Sequence, residues 1–207
     1  MEKQIIVESL VEKLKKSVIC KEKTYRKNET ITTYISNRAH LFILLSGAAD
    51  LEHYSDSGAL SVIEHITVNG IFGDQFHSFN SSNELTVVAK RRCTVLAFDY
   101  NELKEKLTDA QYREVFPLLI ALMSEKIADL NNRTALLTKK STREKLISYF
   151  ESRSKRSNFR TFALPYSYTD LAEYLSVERS AMMREIAWLE DDGIIQRDGR
   201  KITLLKN

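Results

Sequence analysis

The chain has 207 residues, of which 43% are hydrophobic and 29% charged, which is enough apolar material for one large domain or two small ones. No stretch approaches the ~20 consecutive apolar residues of a membrane span, and charges interrupt the amino-terminal segment, unlike in a signal peptide, so we expect a cytoplasmic protein that binds no membrane. The formal net charge of +3 is too small by itself to indicate nucleic-acid binding.

The first half of the chain is predicted to be a β-rich domain. Between residues 31 and 100, short runs rich in Ile, Val, Thr, Phe and Tyr are broken by glycines. Such runs predict a meander folded into a sandwich or barrel. Apolar residues three or four positions apart predict a short helix before it, from Ile5 to Lys16, and another after it, from Asn101 to Leu107.

A long helix is predicted to begin near Pro117, because proline is tolerated in the first turn of a helix and neither glycine nor proline follows until Pro165. Along this helix a stripe of residues recurs at alternating steps of four and three. The stripe comprises Phe116, Ile120, Met123, Ile127, Leu130, Thr134 and Leu137. An apolar stripe of two positions in seven is typical of a coiled-coil seam, and it is narrower than the stripe by which a helix packs on a globular core. We therefore predict a dimerisation helix, with packing on its own domain as the alternative.

A second helical run is predicted from Arg143 to Phe150. Ser141 and Glu144 fit a capping box at its start, in which each side chain bonds the other residue's backbone amide. A basic stretch, RSKRSNFR, follows the run. Thr161 to Leu164 then predicts a short strand that Pro165 ends.

The carboxy-terminal segment predicts two short helices joined by a tight turn and followed by a β-hairpin. Residues expected to face the core are Leu171, Ala172 and Leu175 in the first helix and Met182, Ile186 and Leu189 in the second. Thr169 is expected to cap the first helix, the turn to lie at Ser176, Gly193 to end the second helix, and Gly199 to lie in the hairpin turn. This arrangement is a winged helix-turn-helix. From Lys139 onward 14 Lys and Arg oppose 10 Asp and Glu, which favours DNA binding.

The whole chain resembles the CRP/FNR family of bacterial transcription regulators. The matching stretches are FILLSGAADL for a hairpin of the family's β-roll, NGIFGD for the start of its phosphate-binding cassette and ERSAMMREIAWLEDDGII for its recognition helix. The resemblance implies an α+β fold with a jelly-roll-like β-roll sensor (1–115), a dimerisation helix (116–138) and a winged helix-turn-helix (139–207). It also implies a homodimer on a palindromic site in double-stranded DNA, with RNA polymerase as a further partner.

Two arginines that the family carries in its recognition helix fall on Arg179 and Arg184. A guanidinium can fork onto O6 and N7 of guanine, so Arg179 in the first turn is the candidate for base recognition. Arg184 is the candidate for a phosphate or a flanking base. Ser180 is short enough to reach a base or a phosphate; many relatives carry Glu there, so we expect the operator to differ from theirs. Candidate phosphate contacts, with ordinary exposed residues as the alternative, are Tyr168, Thr169 and Arg200.

The sensor departs from the family's nucleotide-binding pattern. In members that bind cyclic nucleotides, the cassette has Gly-Glu near its start and Arg-Ser or Arg-Thr near its end, and the arginine pairs with the cyclic phosphate. This chain has Phe72, Gly73 and Asp74 at the start, and Asn83 and Glu84 in place of the final pair. A carboxylate repels a phosphate, which argues against cyclic AMP. The same residues are candidates for a pocket that takes a different, unidentified small effector.

Cofactors of other branches of the family are not expected. Cys20 and Cys93 are too few to ligate an iron–sulfur cluster. His77 or His65 could be proposed as a haem ligand, but a lone histidine is more often polar surface. We predict neither a metal site nor a cofactor and leave the effector open.

Two other classes of function compete with this interpretation. An enzyme is not expected, because the GxSxG, HExxH and P-loop patterns are missing from the sequence. The stronger rival is a ligand-binding or protein-interaction module whose helix-turn-helix does not bind DNA, because acidic residues surround the two arginines. They are Glu178, Glu185, Glu190, Asp191 and Asp192. Most of them follow the first turn and are expected to point away from DNA.

Overall fold

A computed structural model describes residues 2–17, 20–34, 40–55, 58, 60–73 and 85–205. The chain divides into two compact units, residues 1–128 and 129–207. Within the described ranges, each helix is either too short or too polar to cross a lipid bilayer.

The first unit is a β-roll with helices packed on one of its sheets. After helix α1 (Glu2–Ser17), its strands are β1 (Lys21–Tyr25), β2 (Thr30–Tyr34), β3 (His40–Ser46), β4 (Ala49–Tyr54), β5 (Leu60–Ile66), β6 (Ile71–Gly73), β7 (Leu85–Ala89) and β8 (Cys93–Asp99). The strands pair antiparallel in two four-stranded sheets, with the orders β1-β8-β3-β6 and β2-β7-β4-β5. The predicted β-rich domain is confirmed. Strand β1 escaped prediction because its sequence, KEKTY, is mostly charged and exposed.

Strand β3 separates two apolar cores. Phe42 and Leu44 face the interior of the roll, whereas Leu41 and Ile43 pack on the other side of the sheet. That second core is formed with α1, with α2 (Tyr100–Lys106) and with the long helix α3 (Asp109–Leu137). Because successive strand residues point to opposite faces, a strand covered on both sides is a continuous apolar run. This explains the stretch LFILL.

The long helix α3 begins at Asp109, so the prediction that it starts near Pro117 is wrong. The amide of Thr108 donates to Gln111 Oε1 at 3.0 Å, and the amide of Gln111 donates to Thr108 Oγ1 at 3.4 Å. This capping box stabilises a start two turns before the proline. Pro117 lacks an amide hydrogen, and the helix continues through it with Leu119 and Leu122 buried in the second core.

The second unit combines helices with a small sheet. Its elements are α4 (Thr142–Ser157), β9 (Thr161–Ala163), α5 (Tyr168–Leu175), α6 (Arg179–Asp191), β10 (Ile195–Asp198) and β11 (Lys201–Leu204). The sheet has the order β10-β11-β9 and is antiparallel. The predicted inward-facing residues are confirmed as buried: Leu171, Ala172, Leu175, Met182, Ile186 and Leu189. A winged helix-turn-helix is therefore present.

Two boundaries in this unit differ from prediction. The capping box of Ser141 and Glu144 is confirmed, but α4 continues past Phe150 to Ser157 and takes up most of the basic stretch. Thr169 does not cap α5. Ser167 does, because its hydroxyl accepts from the amide of Asp170 at 3.2 Å and the Asp170 carboxylate accepts from the amide of Ser167 at 3.2 Å.

Candidate nucleic-acid interface

The turn between α5 and α6 is held by its own backbone. Ser176 adopts a left-handed conformation at φ +50°, and its amide donates to the carbonyl of Glu173 at 3.0 Å. The amide of Val177 donates to the carbonyl of Ala172, also at 3.0 Å. These bonds use carbonyls that the end of α5 would otherwise leave unsatisfied. The turn therefore sets the angle at which α6 leaves α5.

Glu178 caps the first turn of α6. Its carboxylate accepts from the amide of Ala181 at 2.8 Å and from the hydroxyl of Ser180. These bonds, led by the Ser180 hydroxyl, lower the pKa of Glu178 to about 2. The carboxylate is therefore ionised at neutral pH and interacts with the positive end of the helix. Arg179, the next residue, is exposed.

One face of α6 is exposed along its length. Ser180, Arg184 and Trp188 follow one another at steps of four, so their side chains lie on the same side of the helix. Trp188 is 55% exposed. Sequence reasoning missed this residue, although its spacing from Arg184 could have placed it on the polar face. The opposite face supplies the core residues of the unit.

Acidic residues near this face are paired within the unit. The guanidinium of Arg143 donates to Glu185 Oε1 at 3.1 Å and to the carboxylate of Asp192. Arg197 Nη2 lies 2.9 Å from Glu190 Oε2. These ion pairs offset the negative charge around α6, which was the argument for a module whose helix-turn-helix does not bind DNA. Asp191 is exposed.

The β10–β11 hairpin forms the wing beside α6. Gly199, at φ +56°, reverses the chain between Asp198 and Lys201, which pair across the hairpin. The hydroxyl of Tyr168, the first residue of α5, donates to the carbonyl of Gly199 at 2.6 Å. The side chain of Arg200 is exposed at the tip. Of the predicted phosphate contacts, Arg200 is thus exposed on the wing, whereas the hydroxyl of Tyr168 is hydrogen-bonded to the wing.

Family comparisons agree with this order of elements. Residues 22–109 match the family described as cyclic nucleotide-binding domain, and residues 144–206 match the Crp-like helix-turn-helix domain. The chain belongs to the CRP/FNR family of transcription regulators. No curated protein sequence matches it.

Several solved structures share the fold. FixK2 from Bradyrhizobium japonicum is 21% identical over 91% of this chain and 94% of its own, with a TM-score of 0.67. A cyclic nucleotide-binding domain containing protein from Listeria monocytogenes is 16% identical over 97% of this chain and 96% of its own, with a TM-score of 0.69. A CooA mutant from Carboxydothermus hydrogenoformans is 17% identical over 90% of this chain and 84% of its own, with a TM-score of 0.68. At these identities the likeness concerns the fold.

The predicted effector pocket of this CRP/FNR chain is described only in part. Phe72 is buried and stacks on Phe42, with ring centroids 5.1 Å apart. The amide of Gly73 donates to the hydroxyl of Tyr34 at 3.0 Å. Asp74, His77, Asn83 and Glu84 lie outside the described residues. At the start of the cassette, Phe72 and Gly73 thus contact aromatic residues of the roll.

A buried polar cluster holds His65, the second candidate haem ligand. The Nδ1 atom of His65 lies 2.7 Å from Asp50 Oδ1, and both side chains are almost fully buried. Lys90 Nζ lies 3.4 Å from Asp50 Oδ2 and 3.3 Å from Glu52 Oε1. Within the parts of the chain that the structure describes, His, Cys, Asp and Glu side chains do not assemble into a metal-binding group of three.

The long helix of this CRP/FNR chain carries the predicted seam on its outer side. Phe116, Ile120 and Ile127 are 37%, 44% and 55% exposed. Met123 and Leu130 are half-buried, and Thr134 and Leu137 are exposed. Beside the seam on α3, Lys126 is only 5% exposed, and its ammonium donates to the Glu64 carboxylate and, at 3.2 Å, to the carbonyl of Ile71. A single chain thus leaves the apolar seam largely uncovered.

Proposed function

We propose that the chain is a sequence-specific DNA-binding transcription regulator that acts as a homodimer on a palindromic operator. The observation that carries the proposal is the first turn of α6. There Arg179 and Ser180 are exposed on a helix whose opposite face, Met182, Ile186 and Leu189, is buried core. A helix anchored in this way can enter the major groove with its amino-terminal end.

Base recognition is assigned to Arg179 and Ser180. Arg179 can fork onto the O6 and N7 acceptors of a guanine, a pairing that contributes about 1 to 3 kcal/mol of discrimination. The Ser180 hydroxyl gives its hydrogen to Glu178, so towards DNA it offers lone pairs. It then suits the amino group of a cytosine or an adenine. Arg184, one turn beyond Ser180, is assigned to a phosphate or a flanking base.

Attachment to the DNA backbone is assigned to the start of α5 and to the wing. Thr169 is exposed in the first turn of α5, where the positive end of the helix dipole attracts an anion. Arg200 is exposed at the tip of the wing. Contacts of this kind hold the register of the protein on DNA without reading its sequence.

Dimerisation is assigned to the seam on α3. The exposed Phe116, Ile120 and Ile127 support it, because a coiled-coil partner would bury side chains that one chain leaves in water. A parallel pair would place two recognition helices about one DNA turn, ~34 Å, apart. The proposed division is sensor (1–115), dimerisation helix (116–138) and DNA-binding domain (139–207).

The sensor is assigned to an effector other than a cyclic nucleotide. Asn83 and Glu84 stand where nucleotide-binding relatives carry Arg and Ser or Thr, so the phosphate would lack its counter-charge. The chemistry of the effector is left open. RNA polymerase is the expected protein partner of a regulator of this type.

Selection of bound duplexes from a random DNA pool tests the proposal. We expect a palindromic sequence with half-sites about one turn apart, and an affinity that falls steeply with salt because bound cations are released from the phosphates. The rival module without DNA binding predicts no enriched sequence. Retention of all duplexes equally, at every salt concentration, would also contradict the proposal.

A further inference from the structure

The turn of the wing is held at two neighbouring carbonyl oxygens. The carbonyl of Gly199 accepts from the hydroxyl of Tyr168 at 2.6 Å, and the carbonyl of Arg200 accepts from the amide of Leu164 at 2.8 Å. Tyr168 begins α5 and Leu164 follows β9, so two separate segments fix the backbone that bears the Arg200 side chain.

Tyr168 is also connected to the end of α6. The guanidinium of Arg197 lies over its ring, 6.0 Å from the centroid. Arg197 in turn pairs with Glu190 through its side chain at 2.9 Å, and its amide donates to Glu190 Oε1 at 3.1 Å. The recognition helix, the first strand of the wing, the start of α5 and the wing turn are therefore linked by one chain of contacts.

The donor count of a phenol limits what Tyr168 can do on DNA. A tyrosine hydroxyl has one hydrogen to donate, and a backbone carbonyl can only accept. A phosphate oxygen in DNA is ionised and likewise accepts. The hydrogen that Tyr168 gives to Gly199 is therefore not available for a phosphate. Partial burial raises the pKa of Tyr168, so the hydroxyl keeps this hydrogen at neutral pH.

We propose that Tyr168 is a positioning residue for Arg200, holding the wing turn so that this arginine meets a DNA phosphate, and that it makes no phosphate contact of its own. The inference rests on the proposed DNA-binding function. A hydrogen bond that is already formed in the free protein removes part of the ordering cost of binding. The loop of the wing would otherwise have to be ordered when the complex forms.

A double-mutant cycle on the full chain tests this role. Tyr168→Phe removes the hydroxyl and keeps the ring under Arg197. In the wild-type background, Arg200→Ala should make the salt slope of operator binding shallower by roughly one unit. In the Tyr168→Phe background, Arg200→Ala should change the salt slope clearly less than it does in the wild type. The double variant should also bind the operator more tightly than the two single losses of affinity, multiplied together, predict.

Tyr166→Phe is the matched control, because it removes a neighbouring phenol whose ring stacks on Tyr174. It should leave the effect of Arg200→Ala at its wild-type size. Amide hydrogen exchange in residues 195–204 should be faster in Tyr168→Phe than in Tyr166→Phe, even without DNA.

Three outcomes would overturn the inference. Additive losses in the cycle would mean that Tyr168 contacts DNA directly or not at all. Unchanged hydrogen exchange in Tyr168→Phe would mean that its hydroxyl does not hold the wing. A wild-type chain that binds no operator would remove the proposed function itself, and the inference with it, so the two failures are distinguishable.

Discussion

The carboxylate of Glu178 accepts a hydrogen bond from the amide of Ala181 at 2.8 Å, so an acidic residue caps the helix that we assign to DNA recognition. A negative charge at this place would be expected to repel DNA. The charge of Glu178 is offset locally, because its carboxylate accepts hydrogen bonds from amides of the first turn and lies at the positive end of the helix dipole. The adjacent arginine remains exposed and available to a base.

This cap predicts a pH dependence of stability. The pKa of Glu178 is lowered from 4.5 to about 2 in the folded chain, so its stabilisation is complete above pH 4.5 and is lost as the pH falls towards 2. Ser180→Ala removes the largest cause of the shift and should reduce the loss of unfolding free energy over that window. Urea denaturation followed by fluorescence of Trp188, the single tryptophan, measures it. Ser148→Ala, which removes a hydroxyl from α4, is the control, and an identical loss in both variants would contradict the prediction.

The core and the motif could be predicted from the sequence because they depend on local periodicity. Leu171, Leu175, Met182 and Ile186 recur at helical spacing, and the structure buries all four. The start of α3 could also be predicted, because Thr108 and Gln111 form a capping-box pattern upstream of Pro117.

Contacts between distant parts of the chain could not be predicted. The bond from Tyr168 to Gly199 joins residues 31 apart, and the ion pair of Arg143 with Glu185 joins residues 42 apart. Each depends on how α5, the wing, α4 and α6 are folded together, and spacing along the chain carries no information about that. The sequence therefore predicts most of the exposed residues at the site, but not which of them are paired.

Removal of the buried ammonium of Lys126 should destabilise the first unit. Lys126→Ala leaves the carboxylate of Glu64 unpaired at a site where only 16% of that side chain is exposed, and breaking a buried pair at one partner costs about 3 kcal/mol. Lys126→Met with Glu64→Met should recover much of this loss, because it removes both charges. Chemical denaturation monitored by circular dichroism compares the variants; a single variant as stable as the wild type would contradict the expectation.

Dimerisation should depend on the seam residue Ile127. Ile127→Glu places two like charges opposite each other in the coiled coil, so the chain should become monomeric at micromolar concentration. Asn132→Glu, at an exposed position that points away from the seam, is the matched control and should stay dimeric. Sedimentation velocity measures both masses. A dimeric Ile127→Glu would show that the interface is elsewhere.

Cyclic nucleotides should not bind the sensor. Asn83 and Glu84 oppose a cyclic phosphate with an amide and a carboxylate, so isothermal titration with cyclic AMP or cyclic GMP should show no site tighter than about millimolar. Asn83→Arg combined with Glu84→Ser tests the electrostatic reason, since it would supply the missing positive charge and remove the negative one. Micromolar binding by the wild-type chain would refute the argument.

Loss of Arg179 should remove specificity, whereas loss of Arg200 should remove attachment. If Arg179 forks onto a guanine, Arg179→Ala should cost about 1 to 3 kcal/mol on the operator and little on random DNA, and preference at one base pair per half-site should flatten. Arg200 is assigned to a phosphate, which every sequence offers, so Arg200→Ala should weaken specific and random DNA alike. Sequence selection with each variant separates these effects, because only the first alters the selected motif. If Arg179→Ala selects the wild-type motif with undiminished sharpness, that arginine does not read a base, and recognition must be sought along the rest of the exposed face at Ser180 and Arg184.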